Sequence, residues 1–193
     1  MIHHLRGKLV EKNPTHVIVE CGGVGYFVNI SLNTFSKLPE DESISLFTHL
    51  QVKEDSHTLY GFVEKSEREI FRLLISVSGI GSNIARTMLS SMSPSQIRDA
   101  IANGDAPAIQ AIKGIGTKTA QRVILDLRDK VLKVYDIDEV SLSANNTNKD
   151  EALSALEVLG FARKQAERVV DKVLSQDTSL SVENIIKLAL KNL

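Results

Sequence analysis

The segment Val77-Ser78-Gly79-Ile80-Gly81-Ser82-Asn83-Ile84-Ala85 returns downstream as Ile112-Lys113-Gly114-Ile115-Gly116-Thr117-Lys118-Thr119-Ala120. Both copies read polar residue, Gly, Ile, Gly, two polar residues, one more residue and Ala. A single glycine between helical stretches is ordinarily a helix C-cap, because glycine takes left-handed backbone angles at little cost. Two glycines around one isoleucine, used twice, constrain the chain further. Each copy demands a tight turn that closes one helix and opens another, and a repeat of this kind points to one structural unit used twice. Ile80 and Ile115 are expected to pack in the core.

The residues around the repeat read as helix from 64 to 135. Ser66-x-x-Glu69 has the form of a capping box ahead of IFRLLISV, and Ser93-Pro94-x-Gln96 opens a helix through Ile97 and Ile101 that Gly104 ends. Asp105 can cap a short helix through Ile109 and Ile112, and Thr117 a longer one carrying Val123, Ile124, Leu127 and Val131. Residues 1–63 instead alternate apolar and polar at period two in LRGKLVEK, THVIVEC, VGYFVNIS, SISLFTHLQVKED and HTLYGFV. Turns are expected at Asn13-Pro14, Gly22-Gly23 and Glu54-Asp55-Ser56. Five strands without a long helix predict a small closed barrel of the OB-fold kind. Residues 136–150, DIDEVSLSANNTNKD, have the composition of a flexible acidic linker. Residues 151–193 read as three short amphipathic helices, with Gly160 ending the first and Ser181 capping the last. The expected fold class is therefore α+β and multidomain.

Composition narrows the function. With 42% hydrophobic and 24% charged residues the chain is of the globular class, and no stretch approaches the roughly 20 apolar residues of a membrane span. MIHHLRGKLV holds its charges inside an alternating pattern with no apolar block after them, so no signal peptide is expected and the cytoplasm is the expected compartment. The lone Cys21 excludes an internal disulfide and a cysteine zinc site. His3 and His4, as neighbours on a strand, should face opposite sides, so no metal is expected there. No cofactor is expected. Charge is uneven along the chain: residues 64–135 hold 11 Lys and Arg against 7 Asp and Glu, whereas residues 1–63 hold 5 against 7 and residues 136–193 hold 7 against 10. The basic region is the one with both glycine motifs, and one positive face suffices for nucleic acid.

Two phosphate-binding patterns fail on spacing. A P-loop requires Gly before its lysine, whereas Lys118 follows Thr117; a dinucleotide fingerprint requires a third glycine and a preceding strand, whereas Ile84 and Thr119 occupy that position after helices. What remains is helix, Gly-x-Gly hairpin, helix. Its backbone N–H groups, continuous with a helix N-terminus, form a concave donor surface for a phosphate oxygen. Contacts to the phosphate backbone carry no base information, so binding should follow nucleic-acid shape rather than sequence. The expected DNA-binding residues are Gly79, Gly81, Ser82 and Asn83 in the first copy and Gly114, Gly116, Thr117, Lys118 and Arg122 in the second. The first copy lacks a lysine after Gly81, so its grip would rest on amides and neutral side chains. The competing reading is a DNA glycosylase or lyase that uses Lys118 as a Schiff-base nucleophile and Asp136 as its partner.

The barrel segments LRG, GGVGY, FTH followed by KED, and LYGF, then SGIGSNIA and KGIGTKTA, then the acidic linker and a final bundle containing LGF, together resemble the RuvA family of Holliday-junction-binding subunits from the bacterial branch-migration machine. The resemblance covers the whole chain. It implies a non-catalytic homotetramer that holds a four-way junction open and flat, with one or two tetramers on the DNA. It implies that Glu54 and Asp55 form an acidic pin at the junction centre, where carboxylates repel phosphates and part the strands. It further implies that the C-terminal bundle, of UBA-like type, docks the hexameric ATPase RuvB, with the resolvase RuvC as a further partner and no membrane. An apolar groove involving Leu156, Leu159 and Phe161 is the expected docking surface for the motor.

Overall fold

The computed structural model describes residues 1–39, 43–139, 147–177 and 180–193. Five strands, β1 (His4–Asn13), β2 (His16–Cys21), β3 (Val24–Asn29), β4 (Ser43–Val52) and β5 (His57–Phe62), close a barrel in the order β1-β2-β3-β5-β4. All pairs are antiparallel except β3 with β5, where Val28 lies beside Leu59 and Asn29 beside Tyr60. The period-two pattern turns Leu5, Val17, Val19, Val28, Ile44, Leu46 and Leu59 inward, where they are buried. Gly22 and Gly23 take φ of 59° and 83°, the two consecutive positive values that a tight hairpin between β2 and β3 requires.

A short helix, α1 (Leu32–Lys37), lies between β3 and β4 where the sequence reading has no helix. Its six residues LNTFSK include Asn, Thr and Ser, which favour caps and turns over helix interiors, so no periodic signal marks it. Ser31 caps it by accepting from the Thr34 amide at 2.9 Å.

Next come α2 (Lys65–Ile75), α3 (Ser82–Ser91), α4 (Pro94–Asn103), α5 (Ala106–Gln110) and α6 (Thr117–Glu139). The box expected at Ser66 does not form: Glu64 occupies the N-cap of α2 without a capping side-chain bond. Both Glu64 and Glu69 are drawn elsewhere by cations, Glu64 pairing with Lys37 at 2.7 Å while Glu69 accepts from Arg68 and Arg72 at 3.2 and 3.0 Å. The other signals hold. Ser93 and Gln96 form a full capping box, Gly104 closes α4 at φ 74°, and Asp105 caps α5. Phe71 of α2 seats the helices on the barrel, its ring 5.0 Å from Tyr60, 5.0 Å from Phe62 and 5.4 Å from His49. Tyr60 and Phe62 thereby join one core with Leu74, Met88, Leu89, Ile97, Ile101, Ile109, Val123 and Leu127.

Residues 1–136 form one compact unit and residues 137–193 a second. Helix α6 continues through residues 136–139 and α7 starts at Thr147, so both ends of the expected 136–150 linker are helical, while residues 140–146 lie outside the described ones. No Gly or Pro occurs from 117 to 150 to stop either helix. In the second unit α7 (Thr147–Val158), α8 (Arg163–Gln176) and α9 (Val182–Leu190) pack around Leu153, Leu156, Ala166, Val170 and Ile185. Gly160, at φ 97°, lets the chain turn back after α7, and the Phe161 amide then donates to Leu156 O at 3.0 Å.

Candidate nucleic-acid interface

The two glycine motifs fold alike. In the first, the Ile80 amide donates to Val77 O at 3.0 Å and the Ala85 amide to Gly81 O at 2.9 Å. In the second, the Ile115 amide donates to Ile112 O at 3.1 Å and the Ala120 amide to Gly116 O at 2.9 Å. Gly79 and Gly114 take φ of 95° and 94°. Ile80 and Ile115 are buried, so the expectation that they serve as core residues holds. With each isoleucine anchored inward, the flanking glycines are turned out to solvent.

The reason for glycine differs along the motif. At 79 and 114 the positive φ requires it. At 81 and 116 the backbone is not in that region, and an added Cβ would meet nothing within 4 Å. Neither conformation nor internal packing calls for glycine there. Gly81 is the N-cap of α3 and offers no capping side chain, so the first-turn amides receive no side-chain bond from the cap.

The two hairpins lie side by side. A Cβ at Gly79 would come within 4.0 Å of the Thr119 side chain, and Arg122 donates to Ser78 O at 3.5 Å. Asn83, Thr117, Lys118 and Arg122 are exposed. Ser82 is buried and its hydroxyl has no hydrogen-bond partner among the described residues, so what it can present outward is its backbone. Sequence reasoning left out Lys113, which is exposed directly before Gly114 and adds a cation to the second hairpin. Its signal was the polar position that opens each copy of the repeat.

Glu54 and Asp55 sit at the tip of the β4–β5 hairpin, beyond the last pair Val52 with His57. The turn is closed by the Lys53 amide donating to Ser56 O at 2.8 Å, and both carboxylates are exposed, with Ser56 Oγ donating to Asp55 Oδ1 at 3.2 Å. In the second unit the three expected docking residues separate: Leu156 is fully buried, Phe161 packs against the core, and Leu159 is exposed beside a still more exposed Val158. Leu156 packs into the core of the bundle, whereas Val158 is the last residue of α7 and Leu159 lies just past its end, where the chain leaves that core.

The glycosylase pairing does not survive the fold. Lys118 and Asp136 lie on the same helix, eighteen residues apart, which is about 27 Å along its axis. His3 and His4 do not face opposite sides, because His3 precedes β1 and its Nδ1 lies 3.4 Å from that of His4. Among the described residues there is no cluster of three or more His, Cys, Asp or Glu able to hold a metal, and no helix is long and apolar enough to cross a membrane.

Comparison with known proteins agrees along the chain. Residues 1–61 match the RuvA N terminal domain, residues 71–129 the SAM-like Helix-hairpin-helix tandem, and residues 147–193 the RuvA, C-terminal domain. A protein of Christiangramia forsetii is 66% identical over 193 residues, and one of Flavobacterium psychrophilum 67% identical over 193 residues, each match covering 100% of both chains. A protein of Bacteroides thetaiotaomicron is 43% identical over 201 residues, again with 100% of both chains covered. All three carry the name Holliday junction branch migration complex subunit RuvA. A barrel, paired glycine hairpins and a small helical bundle, matched in that order by relatives of full length, place this chain in the RuvA family.

Proposed function

We propose that this chain binds four-way DNA junctions by their shape, as a homotetramer in the cytoplasm, and recruits a RuvB-type ATPase through its C-terminal bundle without catalysing a reaction itself. The observation that carries the reading is the pair of glycines, Gly81 and Gly116, at positions where neither φ nor packing needs them. A phosphate oxygen approaching the first-turn amides of α3 and α6 is the ligand that such a bare backbone fits. In this reading Gly79, Gly81, Ser82 and Asn83 contact one stretch of backbone through their amides. Gly114, Gly116, Thr117, Lys118 and Arg122 contact the next, with Lys118 and Arg122 supplying charge. Glu54 and Asp55 repel phosphates at the crossover, and exposed Leu159 belongs to the motor-docking face. Residues 1–63 and 64–135 work together on DNA, and residues 151–193 serve the motor.

The test is a gel-shift titration of a four-way junction against linear duplex of the same sequence. It uses the full chain and a version ended after Glu139, which preserves α6. Both should prefer the junction, and only the full chain should support ATP-driven branch migration with its cognate RuvB. Equal affinity for junction and duplex would sink the reading.

A further inference from the structure

Helix α3 starts at the first hairpin, so its attitude on the barrel sets where that hairpin's amides point. Two sets of polar contacts hold it there. Arg86 of α3 donates directly to the barrel side, to Asn29 Oδ1 at 2.9 Å and Thr15 O at 3.3 Å. Ser90 of α3 accepts from the Leu32 amide of α1 at 3.1 Å. Helix α1 is in turn tied to α2 through Glu67, whose fully buried carboxylate accepts from Ser31 Oγ and, at 2.8 Å, from Thr34 Oγ1. Thr34 Oγ1 also accepts from the Val63 amide at 3.4 Å, where β5 leads into α2. A buried carboxylate is a poor device for stability, since a well-packed apolar side chain usually does as well; what it supplies is a directional constraint.

We infer that Glu67 is a positioning residue for junction selectivity: through α1 it fixes α3, and with it the first hairpin, relative to the barrel that carries Glu54 and Asp55. The inference rests on the junction-binding reading above. A duplex needs the hairpins alone, whereas discrimination of a junction needs the hairpins and the central carboxylates at a fixed separation. Looseness between them should therefore cost selectivity before it costs affinity for duplex.

The measurement is the junction-to-duplex affinity ratio of the full chain. Glu67→Ala should lower it by about fivefold or more with duplex binding retained, the size of effect expected for residues coupled in one network. Glu67→Gln should keep the wild-type ratio, because its amide can still accept from one hydroxyl and donate to the other. Ser90→Ala with Asn29→Ala removes the α1 link to α3 and the shorter of the two Arg86 links, leaving the Arg86 bond to Thr15 O and the Glu67 contacts intact; it should lower the ratio in the same direction and carries the test if Glu67→Ala does not fold. An unchanged ratio in the folded variants overturns the inference. So does an equal loss of ratio in Val19→Ala, a barrel-core change that lowers stability without touching this network. A wild-type chain with no preference for the junction would instead overturn the function on which the inference stands.

Discussion

Replacing the glycines of the second hairpin one at a time separates backbone strain from ligand approach. Gly114 has φ 94°, so alanine there adopts a left-handed conformation at a cost of about 1–2 kcal/mol. The stiffer unfolded chain offsets about 0.4–1 kcal/mol of that. A net loss near 1 kcal/mol should lower the Tm by about 3–6 °C for a unit of this size. At Gly116 the added methyl meets nothing within 4 Å and the backbone is not in the positive-φ region. A small entropic gain and a small loss of capping preference oppose each other there, and the Tm should stay within about 2 °C of wild type. Binding should behave differently. On the proposed junction-binding function, the methyl of an alanine at 116 stands where a phosphate oxygen would approach the first-turn amides of α6, and one hydrogen bond to a charged group is worth about 1.5–3 kcal/mol. Gly116→Ala should thus weaken junction binding by roughly tenfold to a hundredfold while leaving the fold intact. Thermal melts by circular dichroism and gel-shift titration at two salt concentrations check both halves. If Gly116→Ala bound the junction within about twofold of wild type at both, the second hairpin would not contact DNA through its backbone, and the argument from its unneeded glycine would fail.

The exposed carboxylates at the β4–β5 tip should act with the opposite sign. Glu54→Gln with Asp55→Asn should tighten duplex binding by about threefold to tenfold at low salt and lower the junction-to-duplex ratio, with both effects fading as salt rises; a salt-independent ratio equal to wild type would return them to ordinary turn residues. Burial, opposed by hydrogen bonds from Ser31 and Thr34 and by the charge of Lys37, pushes the Glu67 carboxyl above its usual value of 4.5. A raised folded pKa means the folded state holds that proton more tightly, so the contribution of Glu67 is most favourable below about pH 4.5 and is lost as pH rises through the folded value. The stability of wild type relative to Glu67→Gln should therefore fall as pH climbs from about 4.5 and then level off, which urea unfolding across that range reads directly; a rise would show that the hydrogen bonds outweigh burial.

Local chemistry was enough for much of this protein. Period-two alternation between glycine and proline turns marks the barrel strands, because side chains on a strand must alternate between core and solvent. The capping box at Ser93 and Gln96, the glycine stop at Gly104 and the cap at Asp105 are contacts within four residues of sequence, and so are readable from it. The doubled Gly-Ile-Gly likewise announced the hairpins, since Gly79 and Gly114 answer a requirement of their own backbone. Long-range contacts were not readable. Helix α1 is tied down by Glu67, far along the chain, which accepts from Ser31 and Thr34, and its six residues show no period of their own. The cap expected at Ser66 gave way when Lys37, Arg68 and Arg72 claimed the nearby glutamates. Lys118 and Asp136 looked like partners in a list of residues and are separated by five turns of one helix. Only the tertiary structure could divide Leu156 from Leu159, set the two hairpins against each other through Thr119 and Arg122, and show that nothing inside the protein needs glycine at 81 and 116, because each of those facts is a distance between residues whose sequence separation carries no information about it.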